Sequence, residues 1–184
     1  MIHHLRWIVF PKKLKILWVG NLKMILPIEV RFTDVDSDNH VNHLAVAEWI
    51  AHARVKMIDE QIKQSGLNLL SDIDYVLVNL SIDFRDQVVY PSFIEVQGKI
   101  LRVGTKSLTT QYSVYIPGVK PKIPLTDGYI AGDSSIVVAV AECVNVFVDA
   151  MDSKKSVEIP DELRKILDIE VNMWWPSEIN MKSP

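Results

Sequence analysis

The feature that most constrains this 184-residue sequence is a long segment, residues 44–62, whose apolar side chains cover most of the circumference of a helix. Asn42 is a good N-cap for this helix, and Gly66 is a good residue just past its end. One apolar stripe at helical spacing consists of Leu44, Ala47, Ala51, Val55, Ile58 and Ile62. A second set widens it: Val46, Trp49, Ile50, Ala53 and Met57. Such a helix must be covered by other elements.

The rest of the chain predicts strands. Alternating or continuous apolar segments between turn residues cover residues 28–32, 75–84, 93–101, 107–116 and 136–148. The turn at residues 103–105 predicts a hairpin, and Pro160 predicts the start of a short C-terminal helix. One long helix followed by strands indicates an α+β fold, in which an antiparallel meander curls around the helix.

The length suits a single domain, which we assign to residues 27–170, with an N-terminal extension at 1–26 and a C-terminal tail at 171–184. The extension contains no acidic residue, and Pro11-Lys12-Lys13 divides its apolar stretches, so neither is long enough to span a bilayer. We interpret it as an arm that packs on a partner subunit or as sequence upstream of a true start at Met24. A targeting-like leader is the third interpretation.

The charge and the cysteine content reduce the range of possible functions and partners. The formal net charge is −3 with both signs interspersed, which is not the pattern of a protein that binds nucleic acid. The single cysteine, Cys143, lies in an apolar run and is expected to be a small buried residue rather than a reactive thiol. We therefore expect a cytoplasmic protein with no nucleic-acid or membrane partner.

A polar loop precedes the long helix and runs from Asp34 through Asp36 and Asp38 to His43. Aspartates at alternate positions imitate a calcium loop, but Asn39 stands where that loop needs glycine and Ala45 where it needs a bidentate glutamate. The two histidines of the loop lack further ligands at zinc spacing. The sequence therefore predicts no metal site.

A carboxylate directly before a helix suits the hydrolysis of an activated acyl group. Asp36 would attack the carbonyl or activate water, while free backbone N–H groups near His43 would stabilise the developing oxyanion, aided by the helix dipole. The alternative interpretation of Asp36 is a turn or N-cap acid. For Asp34 we favour a structural role as an acceptor that braces the loop.

The loop and its surroundings resemble the hotdog-fold thioesterases of the 4-hydroxybenzoyl-CoA thioesterase type and, more distantly, acyl-ACP thioesterases. The family pattern is a strand, then Asp-x-Asp-x-x-Gly-His-Val-Asn-Asn, then the long helix; here Asn39 replaces the glycine and His43 the last asparagine. The likeness extends over roughly residues 27–170. It implies a fold in which a curved antiparallel sheet wraps around the long helix. It also implies that the protein hydrolyses acyl-CoA or acyl-ACP. Coenzyme A would enter as part of the substrate, with no separate cofactor.

The resemblance places the catalytic residues in the loop. It assigns the carboxylate to Asp36 and adds His40, Asn42 and His43. His40 is equally well explained as a buried histidine that hydrogen-bonds the loop, whereas for Asn42 we favour the role of a helix cap. For Glu48, in the helix, we favour a solvated or interface role; the alternative interpretation is the helix-borne carboxylate that some hotdog thioesterases use.

Substrate binding is assigned to the loop and to a distant turn. The candidates are Asn39, Arg102, Gly104, Thr105, Lys106 and Ser107. The basic side chains would meet the phosphates of coenzyme A, although isolated basic residues on strands are often simply solvated. The resemblance implies a pantetheine groove between the subunits of a homodimer or homotetramer. We expect the long loop at residues 117–133 to cover or border the acyl site, and a plain surface connection is the alternative interpretation.

Two other functions on the same fold compete with hydrolysis. Hotdog enoyl-thioester hydratases carry a pattern like Asn-Pro-x-His, whereas this chain has Asn39-His40-Val41-Asn42, without the proline. A non-catalytic acyl-thioester sensor is the second alternative. The sequence has no appended segment with a basic recognition helix, which weakens that reading.

Overall fold

The computed structural model describes residues 17–19, 23–68, 71–90, 92–117, 136–152 and 155–174. Within them, the chain forms six strands, one short 3₁₀ turn (Phe32–Asp34) and two α-helices. The strands are β1 (Leu17–Val19), β2 (Lys23–Glu29), β3 (Asp74–Phe84), β4 (Phe93–Val103), β5 (Ser107–Ile116) and β6 (Ile136–Val148). The helices are α1 (His43–Gln64) and α2 (Asp161–Trp174).

The described strands form one antiparallel sheet in the order β1-β2-β4-β5-β6-β3, and α1 packs against β2, β4 and β5. The predicted α+β architecture is confirmed. Helix α2 follows Pro160, as predicted, and packs on β4 and α1 with Leu163 and Leu167 buried. No helix in the described part of the chain is long and apolar enough to cross a membrane.

Both ends of α1 follow the predicted capping. The side-chain oxygen of Asn42 accepts the N–H of Leu44 at 2.8 Å, and the helix ends at Gln64, with Ser65 as its C-cap and Gly66 beyond it at φ 81°. That left-handed φ suits glycine, because other residues meet a steric penalty there. The N-terminal end of α1 is thus fixed directly after the polar loop.

The face of α1 that is buried differs in part from the predicted stripe. Leu44 is 66% exposed and Val55 37% exposed, although both belong to that stripe. The sheet covers the neighbouring side of the helix instead, because two adjacent apolar stripes can each satisfy helical spacing. The buried residues are Ala45, Val46, Trp49, Ile50, Ala53, Met57, Ile58, Gln61 and Ile62.

Gly98 in β4 allows α1 to approach the sheet. A Cβ at this position would lie 2.8 Å from Cε1 of Tyr112 and 2.9 Å from Sδ of Met57. Tyr112 and Met57 are both fully buried. A side chain here would push the helix away from the middle of the sheet, which would disturb the core.

The first predicted strand, 28–32, is wrong in its bounds. The strand is β2, which starts at Lys23, and Met24, Ile25 and Leu26 are buried in the sheet. The chain leaves the sheet before Phe32, because the backbone N–H of Arg31 donates to the Asp34 carboxylate at 2.9 Å and turns the segment. Strand β1 pairs with the start of β2; the other residues of the predicted extension lie outside the described residues.

The predicted meander holds only for β4, β5 and β6. Strand β3 pairs with β6 at the edge of the sheet, and β2 rather than β3 pairs with β4. Sequence order cannot reveal such a non-local pairing. Except for residue 117, the predicted loop at 117–133 lies outside the described residues. Cys143 in β6 is fully buried as predicted, and burial raises the pKa of its thiol to about 11.

Candidate active site

The loop between the 3₁₀ turn and α1 holds Asp36 by backbone hydrogen bonds. Oδ1 of Asp36 accepts the N–H of Asp38 at 2.9 Å and the N–H of His40 at 3.1 Å. The backbone N–H of Asp36 donates to the carbonyl of His40 at 2.8 Å. Asp36 is exposed, so its carboxylate is oriented by the loop while remaining open to a substrate or to water.

Asn39 takes the conformation that the loop needs where the family pattern has glycine. Its φ is 61°, in the left-handed region, which asparagine tolerates better than most residues. Its backbone N–H donates to the carbonyl of Asp36 at 3.2 Å, and its side-chain amide reaches the carbonyl of Tyr90 at a long 3.5 Å. Asn39 therefore forms the tight turn at the position where the family pattern has glycine.

Asp34 braces the loop from inside, as predicted. The Asp34 side chain is only 3% exposed and lies 2.7 Å from Nη2 of Arg31. Its backbone carbonyl accepts the N–H of Asn42 at 2.8 Å, which ties the start of the loop to the start of α1. The two carboxylates of the Asp-x-Asp pair therefore occupy different environments, one buried and paired and the other exposed.

The start of α1 contributes backbone donors beside the loop. The cap by Asn42 satisfies the N–H of Leu44, and the carbonyl of Asn42 accepts from Ala45. Among the described residues, none accepts a hydrogen bond from the N–H of His43, the first residue of the helix. This free amide, with the positive end of the helix dipole, can stabilise a developing negative charge.

The predicted catalytic residues are thus brought together, but they present different groups. His43 is exposed. His40 is half-buried, and its backbone forms an isolated β-bridge with Val89. The amide oxygen of Asn42 is occupied by the helix cap. Asp36 is therefore the candidate whose side chain is both held and accessible.

The turn predicted to bind substrate lies at the other end of the sheet. Glu29, near the loop, pairs with Phe93, whereas the turn follows Val103, ten residues along β4 and roughly 30 Å away by strand length. The carbonyl of Gly104 accepts from Arg164 at 2.7 Å, and Lys106 reaches Ser156. Within one chain, the structure does not bring the turn and Asp36 together.

Sequence reasoning missed Arg31. Its Nη2 contacts both Asp34 and Glu48, the latter at 3.3 Å, and these partners raise the pKa of Arg31, chiefly through the hydrogen bond to Asp34. The i,i+3 spacing from Arg31 to Asp34 was the available signal. The Glu48 carboxylate is thus paired with a cation in this structure.

An open groove of about 640 Å³ lies beside this pair, between β2 and the outer face of α1. Its walls combine apolar and polar side chains: Leu26, Pro27, Ile28, Glu29, Arg31, Glu48, Trp49, Ala51, His52 and Val55. Asp36 does not line it. We place the candidate reaction centre at the loop, because the loop combines an oriented, exposed carboxylate with the free amide of His43, whereas the described walls of the groove offer no such pair of groups.

Comparison with known proteins identifies the class to which this fold and loop belong. Residues 30–167 match the thioesterase-like superfamily, and this chain belongs to that superfamily. No curated protein is detectably similar to it in sequence.

Solved structures of the hotdog fold resemble the chain. A thioesterase superfamily protein from Jannaschia sp. CCS1 superposes with a TM-score of 0.64 over 80% of this chain and 82% of its own, at 18% identity. A 1,4-dihydroxy-2-naphthoyl-CoA thioesterase from Synechocystis gives 0.58 over 79% and 96%, at 16% identity. A 4-hydroxybenzoyl-CoA thioesterase mutant complexed with 4-hydroxybenzoyl-CoA gives 0.60 over 79% and 98%, at 15% identity. At these identities the likeness shows the fold.

Proposed function

We propose that this protein hydrolyses an acyl thioester, acyl-CoA or acyl-ACP, to the free acid and the thiol. The observation that carries the proposal is the exposed carboxylate of Asp36, held by two backbone N–H groups directly before the free N-terminal amide of α1. Thioester hydrolysis needs a carboxylate that attacks or activates water, and a donor where the oxyanion forms. Membership of the thioesterase-like superfamily supports the same chemistry.

Each loop residue then has a distinct role. Asp36 supplies the base or nucleophile, and the backbone N–H of His43 donates to the thioester oxygen. Asn42 and Asn39 keep the loop and the helix start in place through the cap and the left-handed turn. His40 orients the loop through its backbone bonds to Asp36. No separate cofactor takes part, since coenzyme A belongs to the substrate.

We propose that the phosphates of coenzyme A bind Arg102 and Lys106. Both residues are exposed, and they lie at the turn with Gly104, Thr105 and Ser107. We infer that one substrate uses both this turn and Asp36 when the turn comes from a second subunit, because Phe93, at the loop end of β4, and Val103, before the turn, lie roughly 30 Å apart along the strand. The pantetheine arm would then lie between the subunits, as the family resemblance implies.

The second subunit is proposed to pair through the outer edge of β3. Among the described strands, β3 has a neighbour on one side only, which is β6, and it exposes Leu77, Val78, Leu80 and Phe84. An uncovered apolar edge invites pairing with another strand, and an identical copy closes it with two-fold symmetry. We propose a homodimer, alone or as half of a homotetramer.

Sedimentation velocity at micromolar concentration tests the assembly. The wild-type protein should sediment as a dimer or tetramer, and Leu80→Lys should shift it to monomer, because a charge is placed on the paired edge. The control Ile169→Lys changes another exposed apolar residue, on α2 and away from β3, and should leave the assembly intact. A wild-type protein that is monomeric throughout would contradict the proposal.

The reaction is tested with a panel of aromatic and aliphatic acyl-CoA thioesters, scored for release of free thiol. Hydrolysis of at least one class with saturation kinetics is expected, and an acyl-ACP of the same chain length shows which carrier is preferred. Reversible loss of enoyl absorbance from crotonyl-CoA without thiol release would indicate a hydratase. Tight binding of acyl-CoA without turnover would indicate a sensor. We place the reaction in the cytoplasm, which suits a single buried cysteine.

A further inference from the structure

Arg31 joins three parts of the molecule that meet at the loop. Its side chain makes a two-point contact with the Asp34 carboxylate: Nε donates to Oδ1 at 3.0 Å, and Nη2 lies 2.7 Å from the same oxygen. Its backbone N–H donates to Oδ2 at 2.9 Å. Both oxygens of a carboxylate that is 3% exposed therefore depend on this one residue.

The same guanidinium also reaches the helix. Nη2 of Arg31 lies 3.3 Å from Oε2 of Glu48, five residues into α1. Arg31 and Glu48 are both more than half exposed, so this outer contact is weak by itself. Its effect is to place the cation between the loop and the helix, with the buried contact to Asp34 as the stronger of the two.

Asp34 connects Arg31 to the proposed reaction centre. Its backbone carbonyl accepts the N–H of Asn42, whose side chain caps α1. Asp36 follows two residues later, and the loop closes between its N–H and the carbonyl of His40 at 2.8 Å. The distance between the Asp36 carboxylate and the free amide at the helix start thus depends on where Asp34 sits.

We propose that Arg31 is a positioning residue, which holds the Asp36 loop and the start of α1 in the relative placement that thioester hydrolysis requires. The effect on the rate of hydrolysis rests on the proposed function. The placement of the loop and the helix start rests on the contacts described above. Reacting groups displaced by about 1 Å lose on the order of a hundredfold in rate, so a residue outside the reaction centre can have a large effect. Glu48 acts in this arrangement as the outer partner of Arg31 and not as the base.

Kinetics of three variants test the role. Arg31→Ala should lower kcat by about 10- to 100-fold and leave KM within about threefold, because the substrate contacts remain while the carboxylate is misplaced. Arg31→Lys should recover part of the loss, since it restores the charge but not the two-point contact. Glu48→Gln is the matched control: the amide oxygen still accepts from Arg31, so its kcat should stay within about threefold of wild type.

Hydrogen exchange provides a measurement that does not depend on activity. In Arg31→Ala, amides in peptides covering residues 34–45 should exchange faster than in wild type, whereas those of β5 and β6 should be unchanged. If exchange in this segment is unaltered, the positioning role is wrong even when no substrate has been found. If exchange is altered but wild type hydrolyses no thioester in the panel, the proposed function fails and the placement of the loop by Arg31 stands.

Two kinetic results would overturn the proposal in an active enzyme. The first is Arg31→Ala with wild-type kcat. The second is Glu48→Gln with a loss as large as that of Arg31→Ala, because Arg31 would then act by orienting a catalytic Glu48 rather than by holding the Asp36 loop.

Discussion

The two ends of the sheet both carry polar segments with a predicted role at the site, yet their hydrogen bonds are arranged differently. At one end, backbone N–H groups of the loop donate to the carboxylate of Asp36. At the other end, the carbonyls of the turn after β4 accept hydrogen bonds from the C-terminal region. Gly104 accepts from the side chain of Arg164, and Thr105 accepts from the N–H of Ile159. The first arrangement orients an exposed carboxylate, whereas the second ties the turn to the C-terminal region and leaves basic side chains exposed.

The largest effect is expected at the loop. Asp36→Asn should lower kcat by at least about 100-fold, because the amide is nearly isosteric with the carboxylate but is neither nucleophilic nor basic. The fold should be intact, which circular dichroism and sedimentation check. A variant with near wild-type turnover would remove the distinction between the two ends.

A smaller and different effect is expected at the turn. Replacing Arg102 and Lys106 together by alanine should raise KM for acyl-CoA by about 3- to 30-fold and leave kcat within about twofold, since exposed cations assist binding but take no part in the chemistry. The increase should shrink at high salt, because exposed charges are screened. A fall in kcat with unchanged KM would place the turn in the chemistry and break the comparison.

The smallest effects concern the backbone of the loop at Asn39. Asn39→Gly should keep kcat within about twofold, because glycine adopts the same left-handed φ without strain. Asn39→Ala should cost about 1 kcal/mol of stability, measured by urea unfolding, since alanine is disfavoured there. Equal stability of the two variants would show that the left-handed turn is not a constraint on the loop.

Local signals made much of the fold predictable. The cap by Asn42, the stop at Gly66, the hairpin after Val103 and the helix after Pro160 all appear where the sequence indicates them. Each depends on residues close together in the chain, so the physical reason is contained in the local sequence.

Non-local packing accounts for what sequence reasoning missed. The edge position of β3 depends on its pairing with β6, more than fifty residues later, and the alternating pattern of β3 is the same at an edge as in the centre. The side of α1 that is buried is likewise decided by the sheet. At the site, the motif predicts Asp36 as the carboxylate, but the contact between Arg31 and Glu48 joins a loop to a helix and has no local pattern.

The central claim is that the thioester reacts between Asp36 and the start of α1. It is tested most directly by a crystal structure of the Asp36→Asn variant with an uncleaved acyl-CoA. We expect the thioester oxygen about 3 Å from the backbone N–H of His43 and the carbonyl carbon facing the side chain at position 36, with the phosphates at the turn of a second subunit. A thioester carbonyl bound in the groove beside Trp49, away from the loop, would contradict the account.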